Sequence, residues 1–73
     1  MKIYSREEQY RIADGISEDG VISKESEEAI RAAIAEGRAE GLLMGEIKRR
    51  LRDKLADHGV PGSKVAAAVD KLR

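Results

Sequence analysis

The stretch Leu42–His58, LLMGEIKRRLRDKLADH, constrains this chain more than any other. Leu43, Ile47, Leu51 and Leu55 recur every four residues, and Met44 stands three before Ile47. At about 100° per residue these five side chains share one stripe of a helix, and Leu42 falls outside it. Burying one such side chain is worth about 1.5–3 kcal/mol, so this helix is expected to be the most stabilising element. The rest of its surface is charged: Glu46, Lys48, Arg49, Arg50, Arg52, Asp53, Lys54 and Asp57. Lys48, Arg49 and Arg52 cluster on the side away from Arg50. Lys54 borders the stripe and is expected to pack its stem while its ammonium reaches water. The helix end is marked four times over. His58 falls in the last turn, Gly59 suits the left-handed C′ position, Val60 can make the contact behind it, and Pro61 prevents continuation.

A chain of 73 residues makes one domain, spanning 1–73. It buries only about 60% of its unfolded surface, so its margin of stability is small. With no Trp or Phe and two Tyr, the core must come from Ile, Val, Leu and Met, with alanines allowing helices to approach closely. A core this thin would gain from a homodimer that shares apolar surface. The absence of cysteine excludes disulfides, thiolate metal sites and cysteine nucleophiles. No apolar run is long enough to span a membrane and no signal-peptide pattern opens the chain. A cytoplasmic location is expected.

Net charge is zero but unevenly spread. Residues 1–37 carry five Lys/Arg and nine Asp/Glu, and residues 38–73 carry nine and five. The two halves either complement each other inside the fold or across a dimer, or one of them faces a partner of opposite charge.

Before the central stretch, Ser5-Arg6-Glu7-Glu8 matches a capping box. A helix should follow to about Asp14, with Tyr10, Ile12 and Ala13 available to the core and Gly15 as its stop. Gly15 to Ser23, GISEDGVIS, reads as a loop turning at Asp19-Gly20. Ile16, Val21 and Ile22 are expected to plug into a helical core. Ser23 or Ser26 caps the next helix, and Glu25, Glu27 and Glu28 lie in its first turn, where the helix dipole favours anions. Ile30 and Ile34, flanked by Ala29, Ala33 and Ala35, form its apolar stripe. Gly37, Gly41 and Gly45 then stand at four-residue spacing. Either they break the chain near 37–41, or one helix runs from Lys24 to His58 with the glycines as a groove for a close partner. Each interior Gly costs about 1 kcal/mol relative to Ala, which favours the break. After Pro61-Gly62, Ser63 can cap a last helix from Lys64 to about Leu72, with Val65, Val69 and Leu72 on one face beside Ala68.

Asp19-Gly20-Val21-Ile22-Ser23 followed by Glu25 resembles the second half of an EF-hand calcium loop. With Gly20 at the sixth position, the first and twelfth fall on Gly15 and Ser26. Calcium requires carboxylates at both, so the segment reads as a turn feeding a capped helix, and no metal or cofactor is expected. His58, the single histidine, reads as a helix-end residue, with no serine placed to be its nucleophile. The pair of helices around Gly59 raises a helix-turn-helix comparison. Its second helix would be the reader, yet it offers Lys64, Ala66, Ala67, Asp70 and Lys71, with no Asn or Gln for base edges. The segment Ile47 to Leu72 resembles one helical repeat of the RecX family through Ile47, Leu51, Leu55, Gly59, Val60, Val65, Val69 and Leu72. That likeness covers the last third of the chain and implies an architecture of stacked helix pairs rather than a function.

The sequence thus predicts an all-α, small single-domain bundle of three to four short helices, ending in a helical hairpin. The expected function is that of a non-enzymatic interaction module, a regulator or inhibitor binding a larger protein. Such a chain would suit a phage or mobile element whose target is a nucleic-acid-processing complex. The candidate partner-binding residues are Lys48, Arg49 and Arg52 on a basic face and Glu25, Glu27 and Glu28 in an acidic patch. A nucleic-acid-binding protein using that basic face is the alternative, and a structural homodimer the next.

Overall fold

The computed structural model describes residues 3–16 and 21–72. Within them four helices follow in order: α1 (Arg6–Asp14), α2 (Lys24–Ala39), α3 (Met44–Ala56) and α4 (Gly62–Leu72). The protein is a small all-α bundle, and the middle of the chain is broken.

The first two helices start at serines. Ser5 has extended backbone, and its Oγ accepts the Glu8 N–H at 3.3 Å. Ser23 caps α2 by accepting the Ser26 N–H at 3.1 Å. Ser26 has a different task. It is fully buried, and its Oγ donates to the Ile12 carbonyl at 3.0 Å, joining α2 to the end of α1. Gly15 lies at this junction, where a Cβ would overlap Ser26 Cβ and Ser23 Oγ. The Gly15 carbonyl accepts the Ser23 N–H at 2.8 Å, and Ile16 and Ile22 form a single antiparallel bridge. Ile16 and Ile22 pack against the core as expected of them, but Val21 stays 65% exposed. The Asp19-Gly20 turn lies outside the described residues.

Helix ends follow two glycines. Gly41 and Gly59 have φ of 84° and 80°. Around Gly41, the Leu42 N–H reaches the Gly37 carbonyl and the Gly41 N–H the Arg38 carbonyl, each at 3.0 Å. Around Gly59, Val60 bonds Leu55 at 3.2 Å and Gly59 bonds Ala56 at 3.0 Å. Both are Schellman closures, which only a left-handed residue permits. The break therefore sits at Gly41, while Gly37 stays inside α2. A Cβ on Gly37 would lie 2.6 Å from Ile47 Cγ1, so this glycine lets α3 approach closely, whereas the single helix from Lys24 to His58 is not formed.

That closure changes the start of the central helix. As the residue after Gly41, Leu42 folds back and packs partly into the core. Leu43 becomes the N-cap and is 73% exposed, so the stripe begins at Met44 and Ile47 rather than at Leu43. Lys54 is exposed, and Tyr10 is 47% exposed rather than in the core. Helix α4 begins two residues before the expected Lys64. The Pro61 carbonyl accepts the first N–H bonds, from Lys64 at 3.0 Å and Val65 at 3.3 Å, and Ser63 lies inside the helix rather than capping it.

The core joins Ile12, Ile30, Ile34, Ile47, Leu51, Leu55, Val60, Val65 and Val69, with Ala29, Ala33 and Ala68 between them. Lys48 near the start of α3 pairs with Asp70 near the end of α4, and Arg52 lies over Gly62 at the start of α4. The last two helices are therefore antiparallel, the expected hairpin.

Candidate interaction surfaces

The structure divides the basic face of α3. Lys48, with 24% of its side chain exposed, is held in the ion pair with Asp70. Arg52 is exposed, but its guanidinium packs on the α4 backbone, where a Cβ at Gly62 would come within 2.8 Å of Nε. Arg49 is exposed, and neither it nor Arg52 has an ion pair among the described residues. Arg50, on the opposite flank, is the anchor of the group. It donates to Glu40 Oε2 at 2.6 Å, and its guanidinium carbon lies 5.2 Å from the Tyr4 ring centroid. The hydrogen bond from Arg50 to Glu40 holds the guanidinium above its ordinary pKa. Burial raises the Tyr4 phenol, and the nearby Arg50 charge offsets this only in part. The Tyr4 hydroxyl is buried with no hydrogen-bond partner among the described residues.

The acidic patch is placed at the start of α2. Glu25 and Glu28 are exposed, and Glu27 receives Arg31 at 3.1 Å across one turn. The two charged sets, this patch and Lys48, Arg49 and Arg52, are not joined by an ion pair among the described residues.

His58 is not merely a helix-end residue. Its Nε2 lies 3.0 Å from Gln9 Oε1, and its ring centroid lies 4.2 Å from that of Tyr10 at 56°. The Gln9 Nε2 donates to the Tyr4 carbonyl. That bond turns the amide oxygen toward His58, so the hydrogen between the two side chains belongs to Nε2. This tie joins α1 to the end of α3, across 49 residues of sequence. Arg6 and Asp57 complete a polar hollow around it.

Sequence reasoning placed Leu43 in the core, and the structure makes it the most exposed large apolar side chain among the described residues. The missed signal is local. A glycine that closes one helix assigns its successor, Leu42, to the packing contact, and the next residue must then lead into the following helix. Leu43 has no polar atom in its side chain, and the only side-chain help at this cap runs the other way, from Leu43 N–H to Glu46 Oε1 at 3.1 Å. Next to it, Gly45 lies in the first turn of α3, and a Cβ there would meet nothing within 4 Å. Among the described residues, no three His, Asp or Glu side chains are close enough to hold a metal ion, and no helix is long and apolar enough to cross a membrane. Comparison of the chain with protein-family models, curated proteins and solved structures returns no match.

Proposed function

We propose that this domain is a non-enzymatic interaction module, a regulator or inhibitor that docks on a larger protein through the corner between α2 and α3. The observation that carries this reading is Leu43. An N-cap favours Ser, Thr, Asp or Asn, and an apolar residue there forgoes about 1 kcal/mol. A leucine 73% exposed also forgoes most of its burial free energy. Gly45 adds a third local departure, since Ala would suit a helix better and space is open for it. Natural chains break local rules of this kind mainly at functional sites. A partner that buries Leu43 and brings its own backbone close to Gly45 would account for all three.

The charge arrangement supports a protein target over nucleic acid. With Lys48 tied to Asp70 and Arg52 laid over Gly62, few cations of α3 remain to track phosphates. The test is an affinity pull-down from host lysate with and without nuclease, using the wild-type chain and Leu43→Ser. A single captured protein that survives nuclease and is lost with Leu43→Ser is the expected result. Capture abolished by nuclease, with steep salt dependence, would move the function to nucleic acid and to Lys48, Arg49 and Arg52. A light-scattering mass of two subunits, abolished by Leu43→Ser, would make the partner a second copy of this chain.

A further inference from the structure

We infer that a second docking site lies in the groove between α2 and α4, and that it takes an acidic amphipathic helix of another protein. This site shares the last turn of α2 with the α2–α3 corner through Arg38 but uses neither Leu43 nor Gly45, and it does not depend on the proposal made for that corner. The groove has a volume of about 260 Å³. Its floor is Ile34, Ala35 and Leu72, and its rim is Arg31 and Arg38. Ile34 belongs to the core and Leu72 packs against it, so the floor is continuous with the interior. Ala35 is exposed and small, which leaves the space between the two arginines open.

Both rim charges are arginines, and both are exposed. Arg38 has no ion pair among the described residues. Arg31 reaches Glu27, but 59% of its side chain remains exposed. An exposed pair one turn apart is weak and readily exchanged. The chemistry of the groove is therefore an apolar notch bracketed by two guanidiniums, each able to grip a carboxylate in a fork.

Spacing selects the form of the occupant. Arg31 and Arg38 are seven residues apart on one face of α2, roughly 10.5 Å along the axis. A partner helix repeats its own face at the same interval, so carboxylates seven residues apart meet both arginines and the residue midway between them faces the notch. A strand presents same-face residues at about 6.6 or 13 Å, and neither interval matches. The occupant that fits carries one large apolar side chain with Glu or Asp one turn before and one turn after it.

The test uses two designed Ala-rich helical peptides with the full chain. One carries a central Leu with Glu one turn to either side. The other has Lys in place of Glu. Binding is read by fluorescence anisotropy at low salt and by amide chemical-shift mapping. The acidic peptide should shift the amides of Arg31 to Arg38 and of Leu72, and the basic one should not. Arg38→Glu and Arg31→Glu should each weaken the acidic peptide roughly tenfold, with far-UV spectra unchanged because both sites are exposed. Leu43→Ser should leave this binding intact even where it abolishes capture at the other surface. Equal binding of the two peptides, shifts centred elsewhere, or no binding at millimolar peptide would each overturn the assignment.

Discussion

The corners at either end of α2 use the same residue types to opposite effect. At the α1–α2 corner, Gly15 lets two helices touch, Ser23 supplies the cap, and Ser26 bonds the Ile12 carbonyl from a fully buried position. Gly15, Ser23 and Ser26 each have an internal use. At the α2–α3 corner, Gly41 closes one helix by a left-handed turn, but the next helix starts from an exposed leucine and runs through a glycine with open space above it. The contrast teaches where this small domain has been shaped for its own stability and where it has not. A corner optimised for folding would place Ser or Asp at position 43 and Ala at position 45.

That contrast can be broken by substitution, and the closed corner should respond most. Gly15→Val forces a branched side chain into Ser26 and Ser23, and should lower stability by about 2–3 kcal/mol in urea unfolding. A change within experimental error would mean that the junction is looser than its geometry. Ser23→Ala removes the α2 cap and should cost about 1 kcal/mol. The open corner should respond in the other direction. Leu43→Ser completes a capping box with Glu46 and should raise stability by about 0.5–1 kcal/mol while partner capture is lost. Gly45→Ala should add about 0.5 kcal/mol. A fall in stability for either would show that the corner serves the fold after all.

The smallest effect belongs to Tyr4, which rests under Arg50 beside this corner. Its folded pKa is raised above 10.0, with burial as the main cause. The stabilisation is complete below the unfolded value and is lost as pH rises through the folded one. Thermal stability should therefore decline above about pH 10. Tyr4→Phe should flatten that decline and leave neutral-pH stability equal or slightly higher, because the hydroxyl it removes has no partner among the described residues.

The fold was largely legible because its signals are local. Ser5 and Ser23 announce helix starts, Gly59-Val60-Pro61 announces an end, and Ile47, Leu51 and Leu55 can only be one face of a buried helix. The break near Gly37, Gly41 and Gly45 was legible from the cost of interior glycines, but the glycine that makes it was not, because equal spacing hid three different roles. One is a close approach to Ile47, one is a left-handed turn, and one has no internal use. The candidate surfaces were the least legible. Five basic residues between Lys48 and Lys54 look alike in sequence. Only the packing of α4 and the reach of Glu40 decide that Lys48, Arg50 and Arg52 are engaged within the fold. Leu43 was misplaced for the converse reason, since a periodic pattern carries no mark of where the helix begins.

The arrangement of the helices also has a consequence in time. The most extensive packing is between α1 and α2 and between α3 and α4, each pair adjacent along the chain. Chains dominated by such short-range pairings lose little loop entropy before contacts form, and helical domains of this kind fold within microseconds to milliseconds. The two halves of the chain then meet at several points, among them Ile47 over Gly37 and His58 against Gln9 and Tyr10.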